Sequence, residues 1–388
     1  MSLPLETADA DRNSSLAAAV DAAITSALDD NRLVGTVVLI ARDGEIVHRR
    51  AAGLADRENG LPMREDTIFR LASITKPIVT IAAMRLVEQG RIGLDDPVTR
   101  WLPDFQPRLP DGSEAIIRIR HLLTHTSGLS YSFFEGDDAY TRAGVSDGLD
   151  EPGLPLAENL RRIASAPLRF APGSDWQYSV AMDVLGGVIE AETSVPLGEA
   201  VAELVTKPLG LADTAFSVRD RSRLAAAYMD ASPDPALMGE TALVMSLMGP
   251  IRFAPNRIFH PASYHSGGAG MAGTAGDILA ILDTIRRGGA PLLSTETVGM
   301  MTTDQADGQR QQHEPGSGFG FGWSVITNPA EAGVPFPKGT LKWGGVYGHS
   351  WFIDPVNGLT VVALTNTTLE GMWGKFTVDL REAIYAAL

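Results

Sequence analysis

The spacing of apolar and polar positions changes character several times along this chain. From Ser15 to Leu28 an alanine-rich stretch has the composition of a helix. Val34 to Arg42 is then almost entirely apolar, Asp43-Gly44 interrupts it, and Glu45 to Arg50 follows. Two β-rich runs around Asp-Gly predict a hairpin. Thr67 to Arg70 is strand-like. From Ile74 to Gln89 the apolar residues Ile78, Ile81, Ala82, Leu86 and Val87 recur at helical spacing, with Gly90 as the stop. Pro77 fits only if that helix begins at or near Ser73, because a proline deep inside would break it. Residues 81–200 alternate helical patterns with loops rich in Gly, Pro and Asp, and residues 215–265 are irregular. Strand patterns return at Thr340 to Trp343, Gly348 to Ile353 and Leu359 to Thr365, with a turn at Pro355 to Gly358, and an amphipathic helix from Thr377 to Leu388 ends the chain. Strands at both ends around a helical middle predict an α/β domain interrupted by an α insert.

Composition narrows the function classes. The chain has 388 residues, 44% hydrophobic and 20% charged, enough for a full core. It has no cysteine, which excludes a disulfide scaffold, thiol catalysis and cysteine-ligated metals. A net charge of −15 argues against binding nucleic acid or an anionic membrane. The N-terminal Met1-Ser2-Leu3-Pro4-Leu5-Glu6-Thr7 lacks the basic and apolar regions of a secretory signal, and no apolar run has the length of a membrane span. A soluble, cytoplasmic protein is expected. Its oligomeric state is open.

Candidate chemistry centres on Ser73-Ile74-Thr75-Lys76. Residues three apart share a helix face, so this hydroxyl and amine can meet, and a serine needs a base to become a nucleophile. A lysine serves as that base if burial and nearby positive charge depress its pKa. S-x-x-K alone is weak, since a capping serine followed by a solvated lysine gives the same letters. Here, however, it sits at a strand-to-helix junction within the largely apolar Phe69 to Thr80, where a lysine is expected to be buried. Downstream, Tyr178 follows a proline–glycine turn, and Lys342-Trp-Gly-Gly-Val-Tyr-Gly-His349 is a strand whose glycines let a backbone amide approach a ligand.

Taken in order, these motifs resemble the serine β-lactamase and penicillin-binding-protein superfamily, whose nucleophile motif is S-x-x-K. More narrowly the chain is similar to the class C β-lactamase fold and the family VIII carboxylesterases. The resemblance spans nearly the whole chain and includes Arg118 to Leu129 and Tyr264 to Met271. It implies an α+β fold, an antiparallel sheet with flanking helices (residues 1–82 and 200–388) plus a mainly helical domain (83–199), the active site lying between them. It implies Ser73 as nucleophile, Lys76 and Tyr178 as general base and acid, and the backbone N–H groups of Ser73 and Val346 as the oxyanion hole. Each such donor is commonly worth about 3 to 4 kcal/mol. Trp343, Gly344 and Gly345 match the lysine–threonine/serine–glycine element. Tyr131 and His349 are candidate substrate contacts, although an exposed loop aromatic and a turn residue explain them equally well.

The departures are informative. Val180 stands where class C lactamases carry Asn, and Trp343-Gly344 where they carry a lysine and a hydroxyl residue that anchor the substrate carboxylate. Lys342 is adjacent but should face the opposite side of the strand. Loss of that anchor disfavours an anionic β-lactam and costs a neutral ester nothing. The expected activity is hydrolysis of short- to medium-chain esters, with no lipid tunnel or apolar lid and no metal or cofactor. Alternatives are an acyltransferase, an amidase or D-aminopeptidase or a weak β-lactamase on the same scaffold, or an inactive penicillin-recognising binding module. Gly144-Val-Ser146-Asp-Gly148 also matches the G-x-S-x-G elbow, but its flanks (Asp137 to Ala143, Leu149 to Gly153) read as an acidic, exposed loop. His121 and His125 lack the Glu of H-E-x-x-H and are assigned structural roles.

Overall fold

A computed structural model of the protein describes residues 5–134 and 139–388; Met1 to Pro4 of the N-terminal reading and Asp137-Asp138 of the acidic flank lie outside them. Its strands are β1 Gly35–Arg42, β2 Glu45–Asp56, β3 Leu61–Pro62, β4 Ile68–Arg70, β5 Tyr228–Met229, β6 Ala236–Leu237 and β7 Ala242–Ser246. They continue with β8 Gly249–Phe253, β9 Ala272–Thr274, β10 Ser317–Phe319, β11 Ser324–Ile326, β12 Leu341–Gly345, β13 His349–Asp354 and β14 Leu359–Thr365. One eight-stranded antiparallel sheet runs β10-β11-β12-β13-β14-β1-β2-β3. Strands from the two ends of the chain therefore pair at its centre, Thr36 opposite Thr365 through Arg42 opposite Leu359. Residues 83–199 contribute no strand to it.

Alternation along the central strands sorts side chains to two cores. Val38, Ile40, Val361 and Ala363 pack against Leu16, Val20 and Ile24 of the first helix (Leu5–Asp29) and Phe376, Leu380 and Ile384 of the last (Lys375–Ala386). Val37, Leu39, Val362 and Leu364 face the other way, into a core shared with Ile278, Ile281 and Leu282 of the helix Ala275–Arg286. That core also holds the helix Thr75–Glu88, in which every residue from Thr75 to Met84 is buried. A helix buried all round needs no polar face, which is why its pattern is blunt.

The expected turns are present. Asp43 and Gly44 both have positive φ (51° and 94°), as the two-residue hairpin turn between β1 and β2 requires. Residues 215–265 hold two small antiparallel pairs, β5 with β6 and β7 with β8. The β7–β8 hairpin buries Val244, Ile251 and Phe253 while Leu243, Met245 and Leu247 are exposed on its outer side and tip. Met248 and Ile251 of this hairpin line the space beside Ser73 as part of its apolar wall. Short strands with apolar residues on both faces break the alternation that would have marked them. Among the described residues no helix is long and apolar enough to cross a membrane.

Candidate active site

Ser73 lies in a 3-10 turn, Ala72–Ile74, between β4 and the helix Thr75–Glu88. Pro77 therefore falls in the helix's first turn, where a missing N–H costs nothing. β4 is held by pairing to β9, and the Leu71 N–H donates to the Met271 carbonyl at 2.8 Å. Ala72 turns the corner at φ +45°, a conformation that costs a residue with a side chain about 1–3 kcal/mol. The site is thus on a strained turn clamped by the core on both sides.

Lys76 is 1% exposed. Its Nζ lies 3.0 Å from Ser73 Oγ and donates to the Gly268 carbonyl at 2.7 Å. It also sits 4.6 Å from the centre of the Tyr178 ring and 5.5 Å from that of Tyr131. Tyr178 comes from the other side of the cleft, its hydroxyl 2.6 Å from Ser73 Oγ. Serine, lysine and tyrosine, 105 residues apart at the extremes, are in direct contact.

The Arg118 to Leu129 stretch, or rather its end, holds Tyr178 in place. Gln177 N–H donates to the His125 carbonyl at 3.0 Å, and Val180 N–H to that of Ser130 at 3.4 Å. The His125 ring, wholly buried and kept neutral because burial and Lys76 push its pKa well down, packs edge-on to Tyr178 at 4.9 Å. Tyr131 (5.0 Å) and Trp343 (5.3 Å) complete the aromatic collar. His121 does something different: its Nδ1 accepts the Arg118 N–H at 3.2 Å, and burial lowers its pKa to about 4.

Asp183, five residues after Tyr178, was not singled out from the sequence. Its carboxylate is completely buried and faces Ser266 and Gly268 without closing a full hydrogen bond. Burial raises its pKa to about 6, against the pull of Ser266 and the Lys76 charge. A methyl group on Gly268 would lie 3.0 Å from Asp183 Oδ2, 3.3 Å from the Tyr131 hydroxyl and 3.5 Å from Lys76 Nζ, so a side chain there would press on these groups. One acid in the otherwise apolar run Val180 to Ile189 was the available signal.

Two compartments open on this cluster. A slot of about 20 Å³ is bounded by Ser73, Tyr131, Tyr178, Asp147 and Val346. A cavity of about 550 Å³ is bounded by Tyr178, Trp343, Gly344, Trp176 and Arg310. Tyr178, Met248 and Met372 border both, making them parts of one cleft. Tyr131 is buried in the wall rather than exposed on a loop.

Other candidates land elsewhere. Gly345 borders neither compartment; a Cβ there would strike the Leu71 carbonyl at 2.3 Å, so this glycine admits the nucleophile turn rather than a ligand. His349 is buried behind it, its Nε2 2.8 Å from the Arg70 carbonyl and its ring against Phe69, and it contacts neither compartment. Ser146 is not exposed: it is 1% accessible, bonded to Asp150 and, through its backbone, to Asn159 at 2.9 and 3.0 Å. The acidic loop around it folds inward because Asn159 and Ser132 supply the hydrogen bonds that solvent otherwise would. Lys342, on the far side of β12 from Trp343, pairs with Glu314 at 2.9 Å.

Comparison with known proteins agrees with this geometry. Residues 20–376 match the Beta-lactamase family. The chain is 54% identical over 377 residues to Esterase EstB of Burkholderia gladioli, covering 96% of each. The solved structure of EstCE1, "a hydrolase with promiscuous acyltransferase activity", superposes with a TM-score of 0.92 at 44% identity, covering 96% of this chain and 99% of that one. Simvastatin synthase (LovD) from Aspergillus terreus follows at TM-score 0.74 and 26% identity, over 95% and 97% of the two chains. A helical stretch set into an antiparallel sheet, an S-x-x-K turn and these similarities together establish that the chain belongs to the beta-lactamase family.

Proposed function

We propose that the protein is a serine carboxylesterase acting on short- to medium-chain esters through an acyl-enzyme on Ser73. The observation that carries this reading is the position of Ser73 Oγ, 3.0 Å from the Lys76 amine and 2.6 Å from the Tyr178 hydroxyl, with no water-filled gap needed between them. The similarity to an esterase over 96% of the chain points the same way.

In the proposed cycle the Lys76–Tyr178 pair takes the Ser73 proton as Oγ bonds to the ester carbonyl carbon. The amides of Ser73 and Val346 receive the oxyanion; Val346, just past the end of β12, borders the slot beside Ser73. The carbon–oxygen bond to the alcohol then breaks, and the leaving oxygen takes the proton back from the pair. Water attacks the acyl-enzyme with the same pair as base. Both groups contact the same Ser73 Oγ, so the proton is handled by the pair and neither alone is the base. Asp183 acts as the buried counter-charge that orients the Lys76 amine. The two-part division stated above, 1–82 with 200–388 against 83–199, puts the cleft between the sheet and the helical segment, and a cytoplasmic location belongs to the same reading.

Acyl transfer to an alcohol in place of water is the second reading, favoured by the large compartment beside Tyr178 and by the activity in the EstCE1 description. A binding module without catalysis has no use for a buried lysine in contact with a serine. A fluorophosphonate probe, followed by peptide mapping, tests the assignment: it should label the peptide containing Ser73. Labelling of Ser146, or no labelling of a preparation that cleaves p-nitrophenyl acetate, sinks it. Nitrocefin should be a poor substrate, because Trp343 replaces the cationic anchor.

A further inference from the structure

The larger compartment carries a charge opposite to that of the protein. The chain bears a net −15, yet among the described residues the charged groups walling this cavity are Arg310, Lys342 and Arg381 with a single carboxylate, Glu314. Glu314 is shared between Arg310 Nη2 and Lys342 Nζ. Arg310 is only 5% exposed in its side chain, and its Nε and Nη1 have no hydrogen-bond partner. Its guanidinium lies 4.4 Å over Trp176 and 5.4 Å from Trp343, whose indole N–H groups are likewise buried and unpartnered. Arg381 repeats the arrangement at the other end: Nε unpartnered, guanidinium 5.6 Å from the Phe336 ring. Phe336 packs on Phe352 at 4.9 Å, and Phe352 sits opposite Lys342 in the sheet. Pairing of β12 to β11 ends at Lys342, so the cavity runs round that edge of the strand and takes in donors without acceptors and flat rings from both of its faces. Arg310 is thus a desolvated cation whose one anion, Glu314, is shared with Lys342, and a further anion reaching the cavity would offset that cost.

The two compartments also divide the substrate. The slot at Ser73, about 20 Å³, holds little more than one or two water-sized groups, so it suits a short acyl chain. The leaving oxygen takes its proton from the pair containing Tyr178, and Tyr178 and Trp343 both border the larger space. We propose that this cavity is the alcohol site, and that it selects short-chain esters of a flat, apolar alcohol bearing a carboxylate remote from the ester oxygen. This rests on the esterase reading above and names its substrate class. The apolar body lies against Trp343 and Phe336, and the carboxylate meets Lys342 and Arg381, with Arg310 as the fixed inner cation. Hydrolysis forms the Ser73 acyl bond, breaks the bond to the aryl or alkyl oxygen, returns the serine proton to that oxygen, and water then releases the acid.

The test is steady-state hydrolysis of a matched pair, 6-acetoxy-2-naphthoate and its methyl ester, by the full chain, by a Lys342→Gln/Arg381→Gln double variant and by Lys207→Gln. Lys207 is an exposed cation paired with Glu203 and serves as the charge control. The wild type should favour the carboxylate in kcat/KM by about tenfold at low ionic strength, and lose most of that preference by about 0.5 M salt. The double variant should lower the carboxylate-to-methyl-ester ratio about tenfold, and Lys207→Gln should leave it in place. A wild type that cleaves the methyl ester as well as the carboxylate, or a ratio that the double variant does not move, overturns the alcohol-site proposal while leaving an esterase. Turnover of neither ester overturns the esterase reading itself.

Discussion

Replacing Tyr178 with Phe removes one oxygen atom and almost nothing else. The ring is gripped by His125, Tyr131 and Trp343 at 4.9 to 5.3 Å, so a phenylalanine keeps its place. What goes is the 2.6 Å contact to Ser73 Oγ. In stability that is one hydrogen bond, about 0.5–1.5 kcal/mol, or about 1–2 °C in a chain of this size. In catalysis it is half of the acid–base pair, worth about 10² to 10⁴ in rate, or about 3–5 kcal/mol. The effect should also depend on the leaving group. An alkoxide needs the returning proton, whereas p-nitrophenolate leaves without one, so the loss on an ethyl ester should exceed that on the p-nitrophenyl ester by about tenfold or more. The measurements are kcat/KM on both esters beside thermal unfolding. If Tyr178→Phe stays within tenfold of wild type on both substrates, with unfolding within 2 °C or so, Tyr178 is a wall of the cleft and not part of its chemistry.

Three other outcomes follow from the same geometry. Ser146→Ala removes the hydroxyl bonded to the half-buried Asp150 and should destabilise by about 1–3 kcal/mol, while turnover per folded molecule is kept; a dead but stable enzyme contradicts the structural assignment. Gly268→Ala crowds Lys76, Tyr131 and Asp183 at 3.0 to 3.5 Å and should lower kcat about 10- to 100-fold with a normal circular dichroism spectrum; an unchanged kcat contradicts the convergence. Burial and the neighbouring Asp150 raise the Asp147 carboxyl to about 8, so the folded state holds a proton that the unfolded chain releases near 4. Stability should therefore fall as pH rises from about 4 to 8 on this account, and Asp147→Asn, which can keep both contacts to Ser132, should gain on wild type by about 2 °C or more in melting temperature between pH 5 and 8. Parallel melting curves for the two proteins across that range argue against a protonated Asp147.

What could be read from the sequence was whatever depends on neighbours in the chain. The Asp43-Gly44 turn, the helix entered through Pro77 and the last two strands are local statements, and they lie where the pattern places them. Ser73 and Lys76 share one turn of helix, so their contact too is nearly local. The rest is made across the chain. Gly345 reads as a ligand-facing glycine until Leu71 is seen to occupy the space. His349 looks like a pocket residue until the Arg70 carbonyl claims it. Ser146 sits among acids that signal exposure, yet Asn159 draws the loop inward from 13 residues away. Arg310 carries no motif, and only its stacking on Trp176 and Trp343 gives it meaning.

The seam between β1 and β14 has a consequence for biogenesis. Thr36 donates its hydroxyl hydrogen to Leu364, a partner 328 residues further on. An emerging nascent chain thus carries an unsatisfied strand edge until Leu364 has been made, and Gly345, the glycine that seats the Ser73 turn, is likewise made long after Ser73 itself. Assembly is a closing step, and a ribosome that stalls early should release a product with no trace of activity.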